Sequence, residues 1–174
     1  MPVPLSIFGR PFLITPEQRG KLMDPVLVWE SPPGAPARPR EDMTFVININ
    51  NLKAGSPPPL PRSGEPLVYE VKKGALKSAF GLGITVGRTD NNDISVSDPS
   101  VSRFQGYFQL DPRTGGWTFT DAGSTNGTFL SGRRLPPSRA VPLGPSAAIS
   151  FGNVPMRFFV PQEFFRYLDD AAKR

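Results

Sequence analysis

Neither cysteine nor histidine occurs among the 174 residues, and the two absences together narrow the chemistry. Without cysteine there is no disulfide, no thiolate metal site and no thiol nucleophile, a composition compatible with a reducing compartment. Without histidine, zinc loses its other common ligand, and a serine loses the imidazole that most often activates it near neutral pH. No metal, no cofactor and no catalytic residue is expected and the chain is not read as an enzyme, although these absences by themselves close only the usual catalytic routes. No apolar run reaches the roughly 18 residues that a membrane-spanning helix needs. Pro2, Pro4 and Pro11 interrupt the amino-terminal apolar residues, so no secretory signal is expected. These features predict a soluble, cytoplasmic protein without a membrane partner.

What is present is proline, arginine and short apolar alternations. With 38% apolar residues, the length suits one core of ordinary size. The net charge is +5, and residues 66–161 carry ten basic against six acidic side chains, which holds most of the excess and favours an anionic partner for that segment. Thirteen of the twenty-two prolines fall within residues 1–65, clustered in SPPGAPARPR (31–40) and GSPPPLPR (55–62). Fixed φ and the missing N–H make such clusters extended connectors, and PPPLP also resembles ligands of proline-recognition modules. PVLVWE, before the first cluster, and MTFVININ, between the two, have the β-branched and aromatic content of strands. Thr15, Pro16 and Gln18 predict an N-capped short helix through about Met23.

From Pro66 the pattern changes to LVYEV, GITVG, DISV, FQGYFQL, WTFTD, TFL, AAISF and MRFFV, each bounded by turn residues. In FQGYFQL, Phe104, Gly106, Phe108 and Leu110 share one face and Gln105, Tyr107 and Gln109 the other. DPRTGG predicts a hairpin to WTFTD. Many short strands at this spacing predict an all-β sandwich. The tail PQEFFRYLDDAAKR predicts a helix with Phe164, Phe165 and Leu168 on one side, and the adjacent Asp169 and Asp170 solvated. The division expected is a Pro-rich N-terminal extension over 1–65, the sandwich over 66–160 and a C-terminal helix or tail over 161–174.

Three polar stretches separate the strands: GRTDNND (87–93), DPSVSR (98–103) and AGSTNG (122–127). With their flanks, VGRTDNNDISVSDPSVSRFQ, WTFTDAGSTNGTFLSGRRL and ISFG closely resemble the forkhead-associated (FHA) domain over about residues 66–160. The resemblance implies a two-sheet antiparallel β-sandwich of the SMAD/FHA type, whose loops at one end bind phosphothreonine in a short extended peptide. A phosphoryl group brings nearly two negative charges and three acceptor oxygens. Hydroxyls, amides and backbone N–H groups on fixed loops suit such a group.

Carried over by position, the resemblance makes Arg88 the main cationic phosphate contact, its planar fork donating two hydrogen bonds. Ser102 matches the serine of the family's Ser-x-x-His signature and donates its hydroxyl to the phosphate, with Arg103 adding a further donor. Thr125 approaches the phosphate by hydroxyl or backbone, and Asn126 pairs with the peptide main chain. Gly87, Gly123 and Gly127 permit unusual φ or close approach. The family's histidine falls on Gln105, whose amide also offers a donor and an acceptor but on a more flexible stem, which predicts looser loop support and weaker binding. Selectivity for flanking residues falls to Ser100, Arg133, Arg134, Gly152, Asn153 and Val154. The partner implied is a Thr-phosphorylated protein or kinase, and the chain an adaptor in Ser/Thr kinase signalling.

Each residue also has a plainer reading: Arg88 as a surface cation, Ser102 as a turn former, Asn126 as the left-handed residue of an Asn-Gly turn. Two other functions stay open. One is an assembly protein with a degenerate site, making phospho-independent contacts or self-associating through the N-terminal extension, with Thr15 and Thr44 as candidate phosphorylated threonines. The other, less favoured, is nucleic-acid binding, which lacks interleaved surface aromatics and a recognition helix. GLGITVG lacks dinucleotide-loop spacing, and DNNDISVSD lacks the central Gly and terminal Glu of a calcium loop.

Overall fold

The computed structural model describes residues 1–30, 64–74, 81 and 83–173. The Pro-rich stretches 31–40 and 55–62, the strand expected over 43–50 and Thr44 lie outside the described residues. The described residues form two sheets and two α-helices. One sheet holds β1 (Val3–Pro4), β3 (Leu67–Glu70), β2 (Val26–Trp29), β12 (Val154–Phe159), β11 (Ser146–Phe151), β8 (Thr128–Leu130) and β9 (Arg133–Arg134), in that spatial order. The other holds β10 (Ala140–Pro142), β7 (Trp117–Asp121), β6 (Gly106–Leu110), β4 (Ile84–Gly87) and β5 (Ile94–Ser95). This is the expected two-sheet sandwich. Among the described pairings β4 and β5 alone are parallel; the other strands pair antiparallel.

The core between the sheets is built by alternation. Leu27, Trp29, Tyr69, Met156 and Phe158 point inward from the larger sheet and meet Ile84, Val86, Phe108 and Phe119 of the smaller one. Phe108 makes the cross-sheet connection: its ring stacks on Phe158 at 5.7 Å and meets Phe119 edge-on at 4.8 Å. Aromatic pairs of this geometry add about 0.5–1.5 kcal/mol to the gain from burial alone.

In FQGYFQL the burial departs from the expected alternation. The strand starts at Gly106, so Phe104 lies before it, on the loop, and is 39% exposed. Leu110, at the far end opposite Trp117, is 49% exposed, while Gln105 is wholly buried.

All four residues of β2 are buried, and this bears on the expected boundary at residue 65. Val26 and Val28 face away from the sandwich core yet are covered, together with Val68 and Phe159, by a second apolar cluster containing Leu5, Leu22, Phe164 and Leu168. That cluster belongs to α1 (Leu5–Ile14), a 3₁₀ turn (Pro16–Lys21) and α2 (Pro161–Ala172), which lie on the outer face of the larger sheet. β2 pairs with β12 on one side and β3 on the other, so residues 26–29 are interior to the sheet and not part of a separate extension. The pairing was hidden because its partners stand about forty and 130 residues away along the chain.

The amino-terminal helix α1 was not anticipated. Gly9 and Pro11 lower its intrinsic propensity, but Leu5 and Gly9 bury one face, and a Cβ on Gly9 would stand 2.9 Å from Leu168 of α2. The helix expected after Thr15 is a 3₁₀ turn, and Thr15 makes no side-chain cap. Asp169, expected in solvent, accepts two hydrogen bonds from Arg19, which also donates to the Phe12 carbonyl and lies over the Phe165 ring. The tail helix forms as expected, with Pro161 in its first turn and Phe164 and Leu168 buried.

Candidate functional site

The sheet register brings the polar loops to one end of the sandwich. In the smaller sheet Val86 opposes Gly106, which opposes Asp121. The loop after β4, the loop before β6 and the loop after β7 therefore leave from the same edge. In the larger sheet Thr128 opposes Phe151, which opposes Val154, so the turn Gly152–Asn153 and the start of β8 stand at that end as well.

There, Arg88, Pro99, Ser100, Val101, Ser102, Arg103, Phe104, Gly123, Thr125 and Asn126 line one open cleft of about 440 Å³. All five residues expected to contact the phosphopeptide are among them. Arg88 and Arg103 are exposed, and no described carboxylate lies within ion-pair distance of either guanidinium. Two cations without counter-charges among the described residues, beside hydroxyl and amide groups, form a site for an anion.

Hydrogen bonds between the loops set the cleft's shape. The Thr125 N–H donates to Ser102 Oγ at 2.9 Å, which ties two loops together and leaves the Ser102 proton to be donated outward. Thr125 thus uses its backbone N–H within the protein, and its hydroxyl is the group left for a ligand. Asn126 Nδ2 donates to the Ser100 carbonyl at 2.8 Å, which leaves Oδ1 as an acceptor. The Arg88 N–H donates to the Ser102 carbonyl, and Asn92 Nδ2 to the Arg103 carbonyl. The 87–93 loop and the 98–103 loop are fastened to each other in this way. Gly87 is required by close approach, because a Cβ there would stand 2.2 Å from the Arg103 carbonyl oxygen. Gly127 is required by its φ of +86°.

Gln105 corrects the expectation of loose support. Its Oε1 accepts from the Ser102 N–H at 2.9 Å, and its Nε2 donates to the Gly127 carbonyl and to Thr128 Oγ1, both at 3.0 Å. One buried amide therefore braces the 98–103 loop against the 122–127 loop with three bonds. A glutamine stem is flexible in water but not when wholly buried with both ends of its amide engaged.

Asp121 is a supporting residue the sequence reading passed over. Its Oδ1 accepts from the Gly123 and Ser124 N–H groups, and its Oδ2 from the Ser124 and Thr128 hydroxyls at 2.6 Å each. Burial pushes this carboxyl up, but the hydrogen bonds from Ser124, Thr128 and Gly123 outweigh it and hold it below the usual aspartate range. An Asp two and three residues before a Gly-Ser pair is the local signal for such a turn. Asp93 in the calcium-like stretch is likewise engaged internally, accepting from the Gly74 and Thr85 N–H groups.

The expected selectivity residues divide. Ser100 lines the cleft, and its hydroxyl accepts from the Asn153 N–H, which brings Gly152 and Asn153 to the rim. Val154 is 1% exposed and packs into the core, so it faces no peptide. Arg134 lies against Gly127, while Arg133, opposite Leu130 on β9, is one residue further from the cleft.

The sequence model of the FHA domain matches residues 84–152, which span the loops just described. An FHA domain-containing protein of Arabidopsis thaliana is 32% identical over 94 residues, covering 53% of this chain and 22% of its own length. The solution structure of the FHA domain of an Arabidopsis thaliana hypothetical protein is 30% identical, covers 53% of this chain and 71% of that one, and has a TM-score of 0.42. The N-terminal FHA domain of S. cerevisiae Rad53p, in complex with a phosphothreonine peptide, is 19% identical with a TM-score of 0.46, covering 57% of this chain and 89% of that one. No helix among the described residues is long and apolar enough to cross a membrane. Residues 84–152, which carry the matched loops, are an FHA domain.

Proposed function

We propose that this chain binds phosphothreonine in a short extended peptide and serves as a phosphorylation-dependent adaptor, its partner being a Thr-phosphorylated protein or kinase in Ser/Thr kinase signalling. The observation that carries the reading is the convergence of Arg88, Ser102, Arg103, Thr125 and Asn126 on one cleft in which neither guanidinium has an acidic partner among the described residues. Arg88 and Arg103 supply charge, Ser102 and Thr125 supply hydroxyl donors, and Asn126 Oδ1 accepts from a peptide N–H. Because the donors are pinned by hydrogen bonds between loops, little ordering accompanies binding.

The test is isothermal titration of the full chain with a phosphothreonine peptide library and the unphosphorylated peptides. The expected outcome is binding of the phosphorylated set alone, reduced at least tenfold by Arg88→Ala. Equal binding of phosphorylated and unphosphorylated partners would instead favour the phospho-independent assembly reading, and steeply salt-dependent binding of random oligonucleotides the nucleic-acid reading.

A further inference from the structure

A third arginine stands near the cleft that Arg88 and Arg103 line. A Cβ placed on Gly127 would stand 2.7 Å from Nε of Arg134, 3.1 Å from its Cζ and 3.3 Å from its Nη2, so the guanidinium lies against the backbone of Gly127. Gly127 follows Asn126, which lines the cleft, and its carbonyl already accepts from Gln105 Nε2 and the Gly152 N–H. Arg134 is therefore held beside the rim, on the side of the 122–127 loop facing β9. The strand places it there: Arg134 opposes Phe129, one residue from the buried Thr128, and the Leu135 N–H donates to the Thr128 carbonyl. Its side chain is exposed, and no described carboxylate lies within ion-pair distance of it.

We infer that Arg134 forms a second anion subsite beside the phosphate cleft, and that the chain's ligands are phosphothreonine peptides carrying another acidic or phosphorylated side chain a few residues from the phosphothreonine. The inference rests on the function proposed above and adds the ligand class. An extended peptide advances about 3.3 Å per residue with side chains alternating between faces. An anion at one or two particular positions thus reaches a guanidinium on the rim, while its neighbours point away. Such a pair at a solvent-exposed rim strengthens binding about two- to fivefold, and less as salt rises.

The experiment is fluorescence anisotropy on the full chain with a neutral peptide bearing one phosphothreonine, and with a series in which a single Asp is moved from four residues before the phosphothreonine to four after. The quantity read is the ratio of each Asp peptide's affinity to that of the neutral one. The expected result is a ratio of about two to five at one or two positions, falling to about one in Arg134→Gln. Arg113→Gln, which removes the same charge from the β6–β7 turn at the opposite end of the sandwich, keeps the wild-type ratio. A ratio near one at every position overturns the subsite while leaving phosphothreonine binding intact. A positional gain that persists in Arg134→Gln also overturns it, and so does a loss equal for neutral and Asp peptides, which would make Arg134 a loop support. No binding of the neutral phosphothreonine peptide to the wild type overturns the underlying reading instead.

Discussion

Gln105 joins three points of the candidate site from a position without solvent exposure. A neutral imidazole there offers one donor and one acceptor, so at most two of the three bonds survive. Gln105→His is expected to destabilise the fold by about 1 kcal/mol, read as a lower midpoint in denaturant, and not to tighten peptide binding. Asp121 carries the acid sensitivity of the same loops. Its folded pKa is depressed, so its contribution is complete above the ordinary aspartate pKa and is lost as pH falls through the folded value. Asp121→Asn is expected to cost about 1–3 kcal/mol at neutral pH. In parallel denaturation series the gap between variant and wild type should begin to narrow below about pH 4, the ordinary aspartate range, and close only as pH falls through the depressed folded value, where the wild-type carboxyl is protonated. Gly87→Ala drives a Cβ into the Arg103 carbonyl and should displace the segment carrying Ser102 and Arg103. Lower thermal stability together with lost phosphopeptide binding is the expected result. Arg88, Ser102 and Asn126 were legible from three ordered motifs. Asp121 was not, because its importance comes from four donors that only the folded turn gathers.

The outer helices behave as a unit with the larger sheet. Leu168 is wholly buried among Leu5, Val26 and Phe159, and it touches Gly9 of α1. Leu168→Ala removes that packing and should cost about 2–5 kcal/mol, read by equilibrium denaturation. Breaking the Arg19–Asp169 pair by Asp169→Asn should cost about 1 kcal/mol or less, since both side chains are partly exposed. The contrast between the two variants separates apolar burial from ion pairing as the force that seats α2. Apart from β9 and β10, the strands from β3 onward were legible because alternation and turn residues are local signals. α1 was not, since a Gly and a Pro within ten residues argue against a helix and its stability comes from α2 and β3. The short β9 and β10 carry too few residues to show a period.

Across the molecule, the two sheets serve to bring distant loops to one edge, where Arg88 and Arg103 line the cleft. Phosphopeptide affinity should therefore fall as ionic strength rises, with a shallower slope in Arg88→Ala than in the wild type. A titration series across salt concentrations checks this. The slope measures how much of the attraction is Coulombic and how much comes from the fixed hydroxyl and amide donors.

The order of residues alone specified the chemistry: polar loops rich in hydroxyls and amides, arginines beside them, no imidazole and no thiol, and short alternating segments able to pair as sheets. These are local properties, set by side-chain type and by period. Folding decided which arginine faces which loop, that a buried glutamine braces the cleft, that Val154 turns inward, and that residues 26–29 complete the larger sheet. Each of those outcomes depends on contacts between segments tens of residues apart, and such contacts exist only once the strands have found their register.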